Sequence, residues 1–217
     1  MQRTMDDVHR LAGRALPRRL TRLLAGLVLY GVSMTMLVRA DLGVMPWDVL
    51  HQGLARRLGH SMGLWTIVVG VVVLLLWVPL RQRPGVGTVL NVLVVGVVLD
   101  ACLGLTGPVH AMAGRVSLTA GGIVLNAVAT ALYVGAGLGP GPRDGLMTGV
   151  VARTGWSVRV VRTTIEVVVV AVGWVLGGTV GVGTVAYAVA VGPLVHLLLP
   201  VLSARHRRPA EPAAVPA

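Results

Sequence analysis

Long hydrophobic runs alternate along the chain with short segments rich in Gly, Pro and Arg. The clearest runs are residues 62–80 (MGLWTIVVGVVVLLLWVPL) and 116–136 (VSLTAGGIVLNAVATALYVGA), and neither contains a charged residue. A helix needs about 20 apolar residues to cross the roughly 30 Å hydrocarbon core of a bilayer. Six runs approach that length, so the pattern predicts an all-α membrane protein with six transmembrane helices.

Two stretches of the sequence match each other at a constant offset of 96 residues: residues 42–50 read LGVMPWDVL and residues 138–146 read LGPGPRDGL. Further along, GVGTV at 85–89 returns unchanged at 181–185. Matched Gly, Pro and Asp positions indicate an internal repeat. Each half contains three predicted spans. Because three is an odd number, the second half enters the membrane inverted, which predicts two inverted three-helix repeats.

Each repeat contains an additional short helix after its first span. Pro46 or Pro142 suits the first helical position, and Asp48 or Asp144 in the first turn favours the positive end of the helix dipole. Two interpretations stay open. Residues 43–58 and 139–154 either form re-entrant helices that enter from opposite faces and line a cavity, or form amphipathic helices that lie on the surface. Re-entrant helices would point their N-terminal amides at the centre and attract an anionic group.

The charge distribution predicts the topology. All 19 basic residues are Arg, and with 8 acidic residues the formal net charge is +11. No basic face with interleaved aromatic residues accompanies them, so a nucleic-acid partner is excluded. Cytoplasmic loops of membrane proteins carry an excess of positive charge. The arginines predicted to lie outside are only Arg39, Arg56, Arg57 and Arg115, which predicts a bacterial plasma-membrane protein with both termini in the cytoplasm.

The predicted domains follow from the repeat and the charges. A basic cytoplasmic N-terminal tail occupies residues 1–20, and the first membrane repeat occupies 21–107. The second membrane repeat occupies 108–203, and an Arg-, Pro- and Ala-rich cytoplasmic tail ends the chain at 204–217. The basic start followed by an apolar run also resembles a signal peptide. The repeat instead makes that run the first retained helix.

The second-half motifs GLGPGPRDGLMTG, VRTTIE, LGGTVGVGTV and VGPLV, together with LGVMPWDVL in the first half, resemble the YczE/YitT-like family of bacterial integral membrane proteins. The resemblance covers nearly all of residues 21–200. It implies a multi-span protein of the plasma membrane. It implies no catalytic or binding residue, so candidate site residues have to be argued from their chemistry.

Ionisable side chains within the predicted spans and short helices are candidates for a substrate or ion pathway, because charge inside a bilayer is costly unless it is paired or hydrated. They are Asp48, Asp100, Arg143, Asp144, Arg162 and Glu166. Asp100, late in the third span, is the strongest, with a carboxylate at the outer interface as the alternative. The short-helix aspartates either stabilise helix N-termini or contact a ligand, and Arg143 either binds an anion or supplies cytoplasmic charge. Arg162 and Glu166 have the spacing of an intrahelical ion pair, and Glu166 also leaves a proton or ion role open.

A further set of residues has a predicted structural role in the breaks between helices. They are Pro46, Gly85, Gly87, Thr88, Pro142, Gly181, Gly183 and Thr184. Ser61 and Ser157 are predicted caps of the following spans. Four more glycines within spans are expected to let helices approach closely: Gly26, Gly96, Gly122 and Gly192.

Three function classes are compatible with these features. Inverted repeats with interrupted helices are typical of a small-solute transporter or permease, which is the leading interpretation. A non-transporting membrane factor that assists a partner complex is the alternative. An intramembrane enzyme using Asp48 and Asp144 ranks last, since no nucleophile, metal-ligand or nucleotide motif supports it, and we expect no enzyme activity, metal or cofactor. The expected partners are the lipid bilayer and an unknown small solute, and the sequence allows a homo-oligomer.

Overall fold

The protein is all-helical. A computed structural model describes the backbone of residues 2–202 and the side chains of residues 16–202, so the predicted tail at 204–217 lies outside the described residues. The described chain forms eight helices: α1 (Gln2–Ala40), α2 (Pro46–Leu58), α3 (Met62–Leu80), α4 (Val86–Leu105), α5 (Met112–Gly135), α6 (Pro142–Thr154), α7 (Val158–Val175) and α8 (Val182–Leu202). Helix α1 continues through residues 2–20, which the sequence predicts as a tail.

Five helices within the described residues are long and apolar enough to cross a membrane: the Leu16–Ala40 part of α1, then α3, α4, α5 and α8. This confirms a membrane protein with several spans. The remaining predicted span, the fifth along the chain, corresponds to α7. That helix has 18 residues and carries Arg159, Arg162 and Glu166, so its composition alone does not mark it as a span.

Helix starts recur at the offset of the sequence repeat. Helices α2, α3 and α4 begin at Pro46, Met62 and Val86, and α6, α7 and α8 begin at Pro142, Val158 and Val182. The local causes recur as well, because a proline opens each short helix and a serine caps each helix after it. Ser61 Oγ accepts a hydrogen bond from the Leu64 amide at 3.2 Å, and Ser157 Oγ accepts one from the Val160 amide at 3.3 Å. Both predicted serine caps are confirmed.

Helices α1 and α5 cross at the centre of the molecule, and two of the predicted packing glycines lie at this crossing. Gly26 of α1 lies against the backbone of Ala129 and Tyr133, and Gly122 of α5 lies against Leu37. A Cβ atom at Gly26 would lie 2.8 Å from the Tyr133 amide nitrogen, which is closer than real Cβ atoms approach. Glycine is therefore what lets these two long helices pack backbone to backbone.

Each short helix packs against a longer helix of the other half of the chain: α2 against α7, and α6 against α3. Gly173 of α7 lies beside the backbone of Val49, and Gly145 of α6 lies against the indole ring of Trp77. The Trp77 Nε1 donates a hydrogen bond to the Pro142 carbonyl at 3.0 Å. The two halves therefore interlock.

The Gly-rich breaks interlock in the same way. The Gly87 amide donates to the Leu138 carbonyl at 2.9 Å, and the Gly183 amide donates to the Leu42 carbonyl at 2.7 Å. Thr88 Oγ1 adds a hydrogen bond to the Pro140 carbonyl at 2.7 Å. The start of α4 is thus bound to the break before α6, and the start of α8 is bound to the break before α2.

Glycine and threonine have specific parts in these breaks. Gly43 and Gly139, at equivalent positions, adopt φ of 110° and 129°, a region that side chains with a Cβ rarely enter. Thr184 Oγ1 accepts a hydrogen bond from the Gly181 amide at 3.3 Å, and Thr88 Oγ1 accepts the equivalent bond from Gly85 at 3.1 Å. Each threonine thus satisfies an amide that the start of its helix leaves free.

Two arginines at equivalent positions of the repeat make equivalent contacts. Arg19 Nε donates to the Ala136 carbonyl at 2.8 Å, and Arg115 Nε donates to the Ala40 carbonyl at 2.7 Å. Both carbonyls lie at helix C-termini, where cations are favoured. The offset between Arg19 and Arg115 is again 96 residues.

The two halves differ in one respect. Helices α3 and α4 pack tightly, with Gly96 of α4 against Gly63 and Ile67 of α3. The equivalent helices α7 and α8 do not form a packed pair, and a Cβ atom at Gly192 would meet nothing within 4 Å. The prediction of close packing at Gly192 is therefore wrong. The second half is open where the first half is closed.

Candidate functional site

A cavity of about 420 Å³ lies where the N-termini of α2 and α6 meet, and all eight helices contribute residues to its wall. This volume lies within the range of small-molecule sites, about 300–1,000 Å³. Pro46 and Pro142, the first residues of the two short helices, are both part of the lining. On one side the cavity is bounded by α7 and α8, the helix pair that is not packed together.

Trp47 and Arg143 occupy equivalent positions of the repeat and touch each other in the cavity wall. The Arg143 guanidinium carbon lies 4.9 Å from the centroid of the Trp47 ring, which is a cation–π geometry. Arg143 Nη2 is also 3.9 Å from Asp48 Oδ1. The N-termini of the two short helices therefore meet, which is the arrangement expected of re-entrant helices that point at the centre.

Asp48 lies directly behind this contact and is fully buried, with 0% of its side chain exposed. Its Oδ1 is 3.0 Å from the Nδ1 of His51, one turn further along α2. Thr66 Oγ1 of α3 lies 3.3 Å from the same nitrogen and donates its own proton to the Met62 carbonyl. The Nδ1–H of His51 can therefore donate to both Asp48 Oδ1 and Thr66 Oγ1. Asp48 Oδ2 has no hydrogen-bond partner among the described residues.

Asp144, the equivalent carboxylate of α6, lies in the cavity wall itself. Tyr133 of α5 donates its hydroxyl proton to Asp144 Oδ2 at 3.2 Å. The ring of Tyr133 packs edge-on against Tyr30, with centroids 6.1 Å apart and an angle of 73° between the planes. The two equivalent aspartates therefore have different surroundings: one is exposed to the cavity, and the other is sealed behind it.

Arg162 and Glu166 form the predicted intrahelical ion pair, with Arg162 Nε 2.9 Å from Glu166 Oε1. Both residues line the cavity. Their equivalents in α3 are Thr66 and Gly70, which are uncharged. The charge that distinguishes α7 from α3 thus faces the cavity.

Asp100 is not part of the cavity wall, although it is the strongest candidate from the sequence. Its Oδ1 accepts a hydrogen bond from the Gly63 amide at 2.7 Å, and its Oδ2 accepts one from the Ser61 hydroxyl. These donors belong to the first turn of α3, so the carboxylate joins α4 to the start of α3. Its equivalent in the second half is His196, which does line the cavity.

Charge is nearly balanced around the cavity, because the arginines and carboxylates in its wall come in neighbouring pairs. The charged residues of the wall are Arg143, Asp144, Arg162 and Glu166. No group of three or more metal-ligating side chains occurs within residues 16–202. The wall otherwise consists of apolar side chains, tyrosines, Trp47, the histidines His51 and His196, and a few small polar groups. The arrangement suits a small polar solute with a charged group.

A protein-family comparison matches residues 17–200 to a family described as "Family of unknown function (DUF6198)". The match covers most of the chain. The chain belongs to the DUF6198 family. No solved structure matches it.

Proteins from two bacteria are similar to this chain over most of their length. An uncharacterized protein of Haemophilus influenzae is 38% identical over 181 residues, which cover 83% of both chains. The uncharacterized membrane protein YczE of Bacillus subtilis is 34% identical over 185 residues, which cover 84% of this chain and 86% of YczE. The uncharacterized protein YyaS of Bacillus subtilis is 22% identical over 185 residues, covering 83% of this chain and 92% of YyaS. The predicted YczE resemblance is confirmed.

In this DUF6198 protein, sequence reasoning finds the charged residues of the cavity wall but misses the aromatic ones. The chain contains only three tyrosines, and all of them line the cavity: Tyr30, Tyr133 and Tyr187. Tyr187 donates to Asn126 Oδ1 at 2.7 Å, which anchors α8 to α5. Tyrosine in an apolar span needs a partner for its hydroxyl, so scarce tyrosines deep in predicted spans were a usable signal.

Proposed function

We propose that the protein is a small-solute transporter whose substrate binds between its two halves. The observation that carries this proposal is the cavity of about 420 Å³ at which the N-termini of α2 and α6 meet. Transporters built from inverted repeats bind their substrates at the repeat interface, near the ends of interrupted helices. Two helix N-termini and Arg143 favour a solute that carries an anionic group.

The proposed topology has six spans, of which α7 is the fifth along the chain, and both termini lie in the cytoplasm. Helices α2 and α6 are then re-entrant and enter from opposite faces. The charges of α7 fit a span because Arg162 and Glu166 pair with each other and face the cavity rather than lipid. Irregular backbone at the Gly-Pro breaks also fits, because the other half of the chain binds it.

The difference between the halves supports alternating access. In the proposed topology the packed contact between Gly63 and Gly96 lies on the outer side, and the gap beside Gly192 lies on the cytoplasmic side. The structure then corresponds to a state that is closed outside and open inside. If the two halves exchanged conformations, α3 and α4 would separate while α7 and α8 closed. The same cavity would then face outward.

Solute movement is the direct test. Bacterial cells that produce the wild-type protein, or Arg143→Gln at the same membrane level, would be compared by mass spectrometry of cell extract and medium. We expect one class of small anionic or zwitterionic solute to redistribute with the wild type only, and the purified protein to move that solute into liposomes. If neither cells nor liposomes show such a solute, the transport proposal is contradicted.

Cysteine labelling tests the cavity independently of any solute. In a Cys102→Ala background, Val195→Cys places a thiol in the cavity wall, and Val189→Cys on the same helix is the control because Val189 faces outward with 70% exposure. We expect small, charged thiol reagents applied from the cytoplasmic side to label position 195 and not position 189. Equal labelling of the two positions would contradict an aqueous cavity.

A further inference from the structure

The buried carboxylate of Asp48 is the group that the proposed function leaves unexplained. The carboxylate is fully buried, its Oδ2 has no hydrogen-bond partner among the described residues, and the nearest cation is Arg143 at 3.9 Å. An ionised carboxylate out of water is stable only when it is paired and hydrogen-bonded. Asp48 has one good hydrogen bond, from His51, and one distant counter-charge.

Arg143 lies between Asp48 and the cavity and can interact with either. It is the counter-charge of Asp48, and it also lines the cavity with 29% of its side chain exposed. The guanidinium group forms its strongest contacts as two parallel hydrogen bonds to a carboxylate or phosphate. At 3.9 Å, Asp48 does not make such a contact. A solute anion in the cavity can therefore compete for Arg143 on favourable terms.

We propose that Asp48 is a proton-binding site that Arg143 couples to the solute. When a solute anion binds Arg143, Asp48 loses its counter-charge and takes up a proton at Oδ1, the oxygen bonded to His51 Nδ1. The Nδ1–H bond of His51 breaks as the O–H bond of the carboxyl group forms, and His51 Nε2 takes a replacement proton from hydronium in the cavity. When the solute leaves, Arg143 returns to Asp48, the steps run in reverse, and the proton is released to water on that side. One monovalent anion and one proton then move together without net charge. This inference rests on the proposed function.

His51 gives the proton its route. Asp48 itself is not in the cavity wall, whereas His51 is, and its Nδ1 bonds to the carboxylate. An imidazole can accept a proton on one ring nitrogen and release one from the other. The ring therefore connects the cavity to the carboxylate behind it.

Other titratable or charged groups face the same cavity from the surrounding helices. They are Tyr30 of α1, Tyr133 of α5, Asp144 of α6, Arg162 and Glu166 of α7, and Tyr187 and His196 of α8. The two other carboxylates already have partners, since Tyr133 binds Asp144 and Arg162 binds Glu166. Asp48 differs from both in its full burial and its unpartnered oxygen.

Infrared titration of the full-length protein in lipid nanodiscs tests the site directly. A protonated carboxyl group gives a C=O band that an ionised one lacks, so lowering the pH should make the Asp48 band appear. We expect Asp48→Asn to remove one titrating band. The matched control is Asp144→Asn, the equivalent carboxylate, which should keep that band. A full set of bands in Asp48→Asn would overturn the proposal.

The coupling is tested with Arg143. Loss of a nearby positive charge should let the Asp48 band form at a proton concentration lower by about tenfold or more in Arg143→Gln. Arg143→Lys, which keeps the charge, should stay close to the wild type and reports whether the site still folds. Methanesulfonate, which stays ionised throughout, should move the wild-type midpoint in the same direction and leave Arg143→Gln unchanged. An unchanged midpoint in Arg143→Gln, or in the wild type with saturating methanesulfonate, would overturn the coupling.

The titration needs no transported solute, so the two proposals can fail separately. A proton site at Asp48 without any solute flux would contradict the transport function alone. Solute flux that is indifferent to a pH gradient and to Asp48→Asn would contradict the present inference alone.

Discussion

Each short helix meets the opposite half of the chain at a glycine. The ring of Trp77 of α3 packs on Gly145 of α6, and the backbone of Val49 of α2 packs on Gly173 of α7. The equivalents of Trp77 and Val49 are Gly173 and Gly145, so the two contacts use the same pair of repeat positions. A side chain at Gly145 would overlap the indole ring, and one at Gly173 would overlap the backbone of α2.

We expect Gly145→Leu to destabilise the protein, because a Cβ atom at residue 145 already overlaps the Trp77 ring. Overpacking of this kind costs about 1–3 kcal/mol. The measurement is the temperature at which half of the monodisperse peak is lost on size exclusion in detergent. Gly104→Leu is the control, since a Cβ atom at Gly104 meets nothing within 4 Å.

A second substitution separates overlap from loss of glycine flexibility. Trp77→Ala makes room beside residue 145, so the double variant Gly145→Leu with Trp77→Ala should be more stable than the sum of the two single effects predicts. Simple additivity of the two losses would contradict the packing explanation.

At the scale of the helices, the sequence is a good guide to where elements begin. Proline at Pro46 and Pro142 and serine at Ser61 and Ser157 act on their own first turns, so local chemistry is enough to place these starts. Local sequence does not reveal contacts between residues that are far apart along the chain. The donors to Asp100 lie 37 and 39 residues earlier, and no periodicity of the α4 sequence reveals them.

The hydrogen bonds of Asp100 lead to a new expectation for the α3–α4 contact. Asp100→Ala removes the acceptor for Gly63 and Ser61 and should loosen the start of α3. A cysteine at Met62, which is 7% exposed, should then react at least several-fold faster with a membrane-impermeant thiol reagent from outside. Glu166→Gln is the control. An unchanged rate would show that the carboxylate does not hold this contact closed.

We also predict that Asp100→Asn spares membrane levels while it lowers activity. The amide keeps one oxygen that can accept from Gly63 and loses an acceptor for Ser61. We therefore expect Asp100→Asn to be milder than Asp100→Ala in both stability and transport, as measured by thermal unfolding and by liposome flux.

At the scale of the whole molecule, the sequence indicated the repeat and the charged residues of the cavity wall, but it left open whether α2 and α6 reach each other. Hydropathy assigns each short helix to its own membrane face, and nothing local tells how deep either one reaches. The cation–π contact between Trp47 and Arg143 joins equivalent positions of the two halves. A sequence repeat cannot reveal such a contact, because it compares equivalent positions without saying that they touch.

The proposed topology makes a definite prediction for reporter fusions. Fusions after residues 60 and 112 should report the outside, and fusions after 84 and 155 should report the cytoplasm. Alkaline phosphatase and a fluorescent protein, which are active on opposite sides, would be used at every site. Fusions after 60 and 84 that report the same side would contradict six spans.

The interlocking of the halves has a consequence for biosynthesis. The residue pair Val49–Gly173 spans 124 positions, and ribosomes add about 5–20 residues per second, so α2 waits roughly 6–25 s for α7 to emerge. During that time the buried Asp48 lacks Arg143 as well, because the second short helix has not been made. The newly inserted first half is thus incomplete and contains an unpaired charge. An insertase or membrane chaperone that shields this charge would determine how much finished protein is obtained.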